Sequence, residues 1–277
     1  MGATKRFGHL APSYKEKNVS LWLAGLPLWI AAFFLVLVPT AAAMCGPVLI
    51  RRRIGLERLV SNNEIAGFKF ATVGVIFAVL LAFAVIVVWE KFSDAETAVI
   101  QEAGAAATLY RLAAGPEPEA AATRIALGNY LKVAIERDWP MMEIGEESRE
   151  TTQALNTVYA TTMQHTETGS KHPAIFAEML TQLDSITKAR RTRLHLATGV
   201  VPGILWLTLY FGAILTVVFT FFFGTKNLPA QVMMTGILSL LVFMGLLVIV
   251  SIDHPFTGPV HVSSEPLQSV IEDFAKG

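Results

Sequence analysis

Asp, Glu, Lys and Arg are absent from Ala71 to Trp89, from Leu194 to Thr225 and from Asn227 to Ile252. Stretches of that length without a formal charge leave few folds open. A hydrocarbon layer about 30 Å thick is crossed by roughly 20 apolar residues rising 1.5 Å each. Four runs meet the requirement: Leu21 to about Ile50, Ala71–Trp89, Gly199–Phe223 and Gln231–Ile252. Lipid offers backbone amides no partner, and the period-2 alternation of a barrel strand is missing, so these runs are expected to be α-helices. Composition agrees, with 53% hydrophobic and 16% charged residues against about a quarter charged in soluble domains. The expected fold class is all-α and integral to a membrane, with four transmembrane helices. The expected location is multi-pass in the cell (inner) membrane, the lipid bilayer being the first partner.

The first run ends in "AAAMCG", a sequence that suggests signal cleavage. Its apolar core is too long for a signal peptide, and Arg51–Arg53 would follow the cut at once. Met44 stands where a lipoprotein places a small residue before its cysteine. The run is therefore expected to stay as an anchored helix, with Pro27 and Pro39 as candidate kinks. Cys45 is the one cysteine, so no intrachain disulfide forms.

Residues 90–198 have soluble composition and a helical pattern. "EKFSDAETAVIQEAGAAATLYRLA" continues the second run without a breaker until Gly115-Pro116, predicting one helix from Ala71 to Ala113. "PEPEAAATRIALGNYLKVAIERDW" predicts the next, with acidic residues in its first turn and Pro140 as its stop. "SRETTQALNTVYATTMQHT" places Leu155, Val158, Tyr159 and Thr162 on one face. "HPAIFAEMLTQLDSITKARRTRLHL" does the same with Ile175, Met179, Leu183 and Ile186. A helical bundle inserted between the second and third spans is expected. The tail offers a β-like "PVHV" and an amphipathic helix from Pro266. Nine Lys and Arg lie near span ends on the bundle side: Lys5, Arg6, Lys15, Lys17, Lys91, Lys188, Arg190, Arg191 and Arg193. Six lie on the loop side: Arg51, Arg52, Arg53, Arg58, Lys69 and Lys226. The excess leans towards a cytoplasmic bundle.

Candidate functional residues cluster on the spans. "SNNEIAGFKF" starts the second helix: Ser61, Asn62 or Asn63 can cap it, and Ser61 with Glu64 has capping-box spacing. The functional alternative puts Asn63 and Glu64 in a vestibule. Gly67, Ala71, Gly74, Ala78 and Ala82 form a small-residue face, suited to close helix packing or to the flank of a pore. Phe70, Phe77 and Phe83, on the other side, are candidates for a hydrophobic constriction. Candidate pore-lining residues are thus Phe70, Gly74, Phe77, Ala78 and Phe83. Thr208, Gly212, Thr216 and Thr220 repeat at i+4 on the third span, either bonding back to the preceding turn or forming a wetted stripe. Trp206 and Tyr210 are expected to be interface or packing aromatics. In the bundle, Glu102, Arg111, Glu136 and Trp139 are candidate interior polar groups, with surface salt bridges as the default reading.

Several chemistries have no support in the sequence. The histidines at 9, 165, 172, 195, 254 and 261 lack metal-site spacing, and no HExxH or CxxC occurs. P-loop, GxGxxG and GxSxG patterns are missing, so no catalytic residue, metal or cofactor is expected and an enzyme is disfavoured. A net charge of zero argues against nucleic acid as a partner.

"NNEIAGFKFATVGVIFAVLLAFAVIVVWEKFSDAETAVIQEAGAAATLYRLA", "YLKVAIERDWP", "KARRTRLH" before "PGILWLTLYFGAILT", and "DHPFTGPVHV", in that order, resemble the bestrophin-like membrane family of bacteria. The resemblance covers Ser61 to Val262. It implies kinship with bestrophins: pentameric anion channels with four spans per subunit, a helical cytosolic part between the second and third, and a second span that lines the pore. The acidic cluster that binds calcium in animal bestrophins has no clear counterpart in "DHPFTGP". The expected function is a homo-oligomeric, passive channel for small ions, anions favoured, with the second span at the pore. The alternative is a non-conducting sensor or scaffold whose bundle binds a partner.

Overall fold

The computed structural model describes residues 17–114, 118–167 and 173–276, which form helices joined by turns and short irregular segments, with no strand among them. Helix α1 is Lys17–Ala24, and the chain turns through Gly25 to Pro27 into α2, Leu28–Ile54. Then come α3 (Leu56–Ser61), α4 (Asn63–Leu112) and α5 (Pro118–Val133, continuing to Glu143). Next are α6 (Arg149–Glu167), α7 (Pro173–Ala197) and α8 (Gly203–Phe219, closed by a 3-10 turn Thr220–Phe222). Last are α9 (Leu228–Ile252) and α10 (Glu265–Lys276). Among the described residues, four helices, α2, α4, α8 and α9, are long and apolar enough to cross a membrane.

Helix α4 organises the molecule. Its 50 residues extend about 75 Å at 1.5 Å each, longer than the expected stretch from Ala71. The half that begins at Ala71 packs against α8 and α9; the other half leaves the apolar layer and pairs with α7 on its way back. Helix α5 packs on α6, and α10 lies across α4 and α5. The bundle core is aliphatic where the helical period puts it. Val99, Ala106, Leu109, Leu127, Leu131, Val158, Leu183 and Ile186 are inaccessible to solvent. Leu155, Met179 and Thr162 join them, with Tyr159 half-buried, but Ile175 is exposed near the start of α7. At the tail helix, Leu267 is buried, and Phe274 stacks on Tyr110 with ring centroids 3.7 Å apart.

One proline departs from expectation, and the candidate kink Pro39 shares its setting. Pro140 does not stop its helix, and Pro39 sits inside one. Each follows a π-turn by two residues: Phe33–Leu37 before Pro39, Ala134–Asp138 before Pro140. A helical proline lacks a donor and crowds the carbonyl of residue i−4. The extra residue in a π-turn shifts that carbonyl aside, so the helix continues. Pro47 lies within α2 without such a turn. Pro27 instead starts α2 as its N-cap residue, so the first apolar run is a short helix and a long one rather than a single rod.

Two local expectations fail. The capping box is not formed: the Ser61 hydroxyl and the Asn62 amide both donate to the Arg58 carbonyl, at 2.9 and 3.1 Å. Those bonds close α3 and leave Asn63 free for a longer-range contact. "PVHV" is not a strand, since its Val262 N–H turns back to the Pro255 carbonyl at 2.7 Å. The N-terminal extension to Glu16, including His9, and the expected break and acidic turn at Gly115, Pro116 and Glu117 lie outside the described residues.

Candidate functional site

The half of α4 that begins at Ala71 is the most apolar of the four long helices and the least covered by its own chain: 11% of its most apolar window is buried, against 39% for α9. The candidate pore residues divide between its two sides. Phe77 is only 5% exposed and its ring fills the space beside Gly212, where an added Cβ would lie 2.6 Å from it. Packing inside the chain removes Phe77 from any surface that could line a passage. Phe70 also turns inward, its ring 5.8 Å from Phe219 and 5.6 Å from Phe223. Phe83, 64% exposed, and Ala78 face outward. At Gly74 no heavy atom stands within 4 Å of a built Cβ. The small-residue face therefore packs against nothing in this chain along most of its length.

The third-span threonines bond back to the preceding turn, as hydroxyls on helices commonly do. Thr208 donates to the Ile204 carbonyl at 2.9 Å, Thr216 to Gly212 at 2.8 Å and Thr220 to Val217 at 2.6 Å. Thr220 also meets the Thr235 hydroxyl of α9 at 3.4 Å. Asn63 is a clamp. Its amide donates to the Gly224 carbonyl at 2.6 Å and accepts the Gly224 N–H at 2.8 Å, tying the start of α4 to the loop between α8 and α9. Glu64, beside it, is exposed.

A cluster that sequence reading largely missed lies in the bundle. Arg193 is wholly buried and donates to both Glu102 oxygens, at 2.9 and 3.1 Å, and to Asp138 at 3.3 Å. Its guanidinium lies 4.5 Å from the Trp139 ring centroid. Arg190 takes Asp138 through two bonds of 2.8 and 3.1 Å. The Tyr130 hydroxyl donates to Glu102 at 2.6 Å, and the Ser148 N–H to Asp138 at 3.1 Å. Two cations meet two carboxylates, so the interior carries no net charge. Burial works against the Arg193 charge, but Glu102, Tyr130 and Asp138 more than offset it and hold the guanidinium above its ordinary value. Burial, then the Glu102 charge, pushes the Tyr130 phenol well above its usual range, so it remains a donor. Of the four candidate interior groups, Glu102 and Trp139 belong here, while Arg111 and Glu136 are exposed, as the surface reading had them. The signal for the others was present: "KARRTR" places Arg190 and Arg193 three apart on the face that carries Ile186 and Ala197.

A model of the Bestrophin-like domain matches residues 33–267 of the 277. The chain belongs to the Bestrophin-like family. A bacterial Bestrophin homolog from Klebsiella pneumoniae superposes with a TM-score of 0.68 at 16% identity, covering 87% of this chain and 97% of that one. A point mutant of that homologue gives a TM-score of 0.69 at 14% identity with the same coverage. Among curated proteins none matches in sequence. This Bestrophin-like chain is thus a multi-pass membrane protein with the fold of those homologues.

The "DHPFTGP" segment in this family member is a structural knot at the membrane end of the bundle. Asp253 accepts the N–H groups of Val200 and Val201 at 3.1 and 2.8 Å, holding the elbow between α7 and α8. Gly199 bends that elbow with φ of +88°, a conformation that suits glycine, and lies against the His254 ring. Burial lowers the His254 pKa from its ordinary value, with Asp253 and a bond to the Ala197 backbone opposing. Thr257 donates to the Glu143 carbonyl at 3.0 Å, and the Trp139 N–H to that of Val262 at 3.2 Å. Among the described residues, no three His, Cys, Asp or Glu side chains stand together as metal ligands.

Proposed function

We propose that this protein assembles as a closed ring of identical chains around an axis lined by α4, forming a passive pathway for small ions, anions favoured. Characterised Bestrophin-like members are anion channels. The observation that carries the reading is the bare face of α4: the most apolar helix is the one its own chain covers least. Lipid alone would suffice to cover it, but α4 also continues unbroken into the bundle, so a ring of α4 helices would join a membrane passage to a protein-walled antechamber. Ring closure by a repeated head-to-tail contact covers both flanks and leaves one face to the axis. Ala78 and Phe83, about 140° apart round the helix, border that face on either side, while Phe77 seats α4 on α8 from behind. With no formal charge from Ala71 to Trp89, selectivity arises from width, dipoles and wetting. Glu64, exposed at the end of the helix, stands in the outer vestibule. The bundle faces the cytoplasm of the inner membrane, following the distribution of Lys and Arg.

The test is chloride flux in liposomes containing the purified chain. Phe83→Ala should raise flux and Ala78→Phe should lower it, while Leu241→Ala on α9 leaves it unchanged. A monomer or dimer in detergent, or a folded ring that passes no ion, would refute the channel; the silent ring would fit a membrane scaffold.

A further inference from the structure

The arginines of "KARRTRLH" serve two different environments. Arg190 and Arg193 turn into the bundle and are matched by Asp138 and Glu102. Arg191 faces the other way, is exposed, and makes no ion pair among the described residues. With Thr192 and His195 it forms one wall of a cleft of about 480 Å³ between α7 and α4; Lys91, Asp94 and Gln101 are on the opposite wall. That volume lies in the range of about 300–1,000 Å³ typical of small-molecule sites.

Depth and charge define what fits. Lys91 is two residues past Trp89, about 3 Å along the helix. Trp89 is 63% exposed, an amphipathic ring at the level where such side chains gather in a bilayer. The cleft therefore opens at headgroup depth, with the exposed Ile86 and Val87 immediately below it on α4. Lys91 is held by Asp94 at 2.8 Å, so these two charges cancel. Arg191 is left over, and the cleft is net positive. The Thr192 hydroxyl, the Gln101 amide and the His195 ring add further hydrogen-bonding groups. A guanidinium fork among hydrogen-bond donors is the chemistry that receives a phosphate.

We infer that this cleft binds phosphate, carried by the headgroup of an anionic phospholipid whose acyl chains lie on the apolar surface below. Binding is independent of conduction, so its test does not read flux. Native mass spectrometry of the full chain in mild detergent, titrated with dioleoylphosphatidylglycerol or dioleoylphosphatidylcholine, should show a preference for the anionic lipid. Arg191→Ala should weaken that binding about five-fold, the size expected for one basic residue at a membrane surface. Lys188→Ala, which removes an exposed charge paired with Asp184 at 2.6 Å outside the cleft, should not. Inorganic phosphate that displaces the lipid would show that the site also takes phosphate from solution; no displacement would assign it to lipid alone. Equal binding of the two lipids, or equal losses in the Arg191 and Lys188 variants, would overturn the inference.

Discussion

Replacing Arg193 with methionine removes the centre of the bundle's charge cluster while roughly keeping its volume. Asp138 retains two bonds from Arg190 and one from the Ser148 N–H. Glu102 loses both guanidinium contacts and keeps only the Tyr130 hydroxyl. The cost thus concentrates on one buried carboxylate with no counter-charge, and such losses run at about 3–5 kcal/mol. At about 2–4 °C per kcal/mol for chains approaching this size, the melting temperature should fall by roughly 6–20 °C. Thermal unfolding of the detergent-solubilised chain, followed by tryptophan emission, would read it; Trp139 lies against the substituted side chain. Adding Glu102→Gln removes the stranded charge and leaves Tyr130 an acceptor, so the double variant should regain at least half of the loss. Arg111→Met, on an exposed position of the same bundle, should move stability by less than about 0.5 kcal/mol. If Arg193→Met matched the Arg111 control, or the double variant were no better than the single, the reasoning from an uncompensated buried charge would be wrong.

Gly212→Ala should cost about 1–3 kcal/mol through overpacking, because its Cβ would stand 2.6 Å from the Phe77 ring; thermal melts should show part of the loss recovered by Phe77→Leu. Asn63→Ala breaks both bonds to the Gly224 backbone and should destabilise by about 1–3 kcal/mol, read by the same melts. His254 has its pKa lowered by burial, so its contribution is complete above the ordinary value of 6.5 and is lost as pH falls through the folded value. Melting temperatures measured from pH 7.5 down to pH 5 should therefore fall more steeply for the unmodified chain than for His254→Gln.

Much of this protein is legible in one dimension. Where charge vanishes for the length of a bilayer, helix is the one open-ended way to pair the backbone, and α2, α4, α8 and α9 follow from that alone. Leu155, Val158, Met179, Leu183 and Ile186 were readable for a similar reason, since their period is local. What the sequence could not give is which outward side of a uniformly apolar helix meets its own chain. Phe77 and Phe83 are chemically identical, and only the arrival of Gly212 on α8 buries one and leaves the other bare. The same holds for charge. Glu102 and Arg193 are 91 residues apart, and nothing near either announces a partner, because an ion pair across such a separation exists only once α4 and α7 lie side by side. Local periodicity and the solvent requirements of the backbone are written into neighbouring residues; contacts between distant helices depend on how whole faces fit, and that was decided in three dimensions.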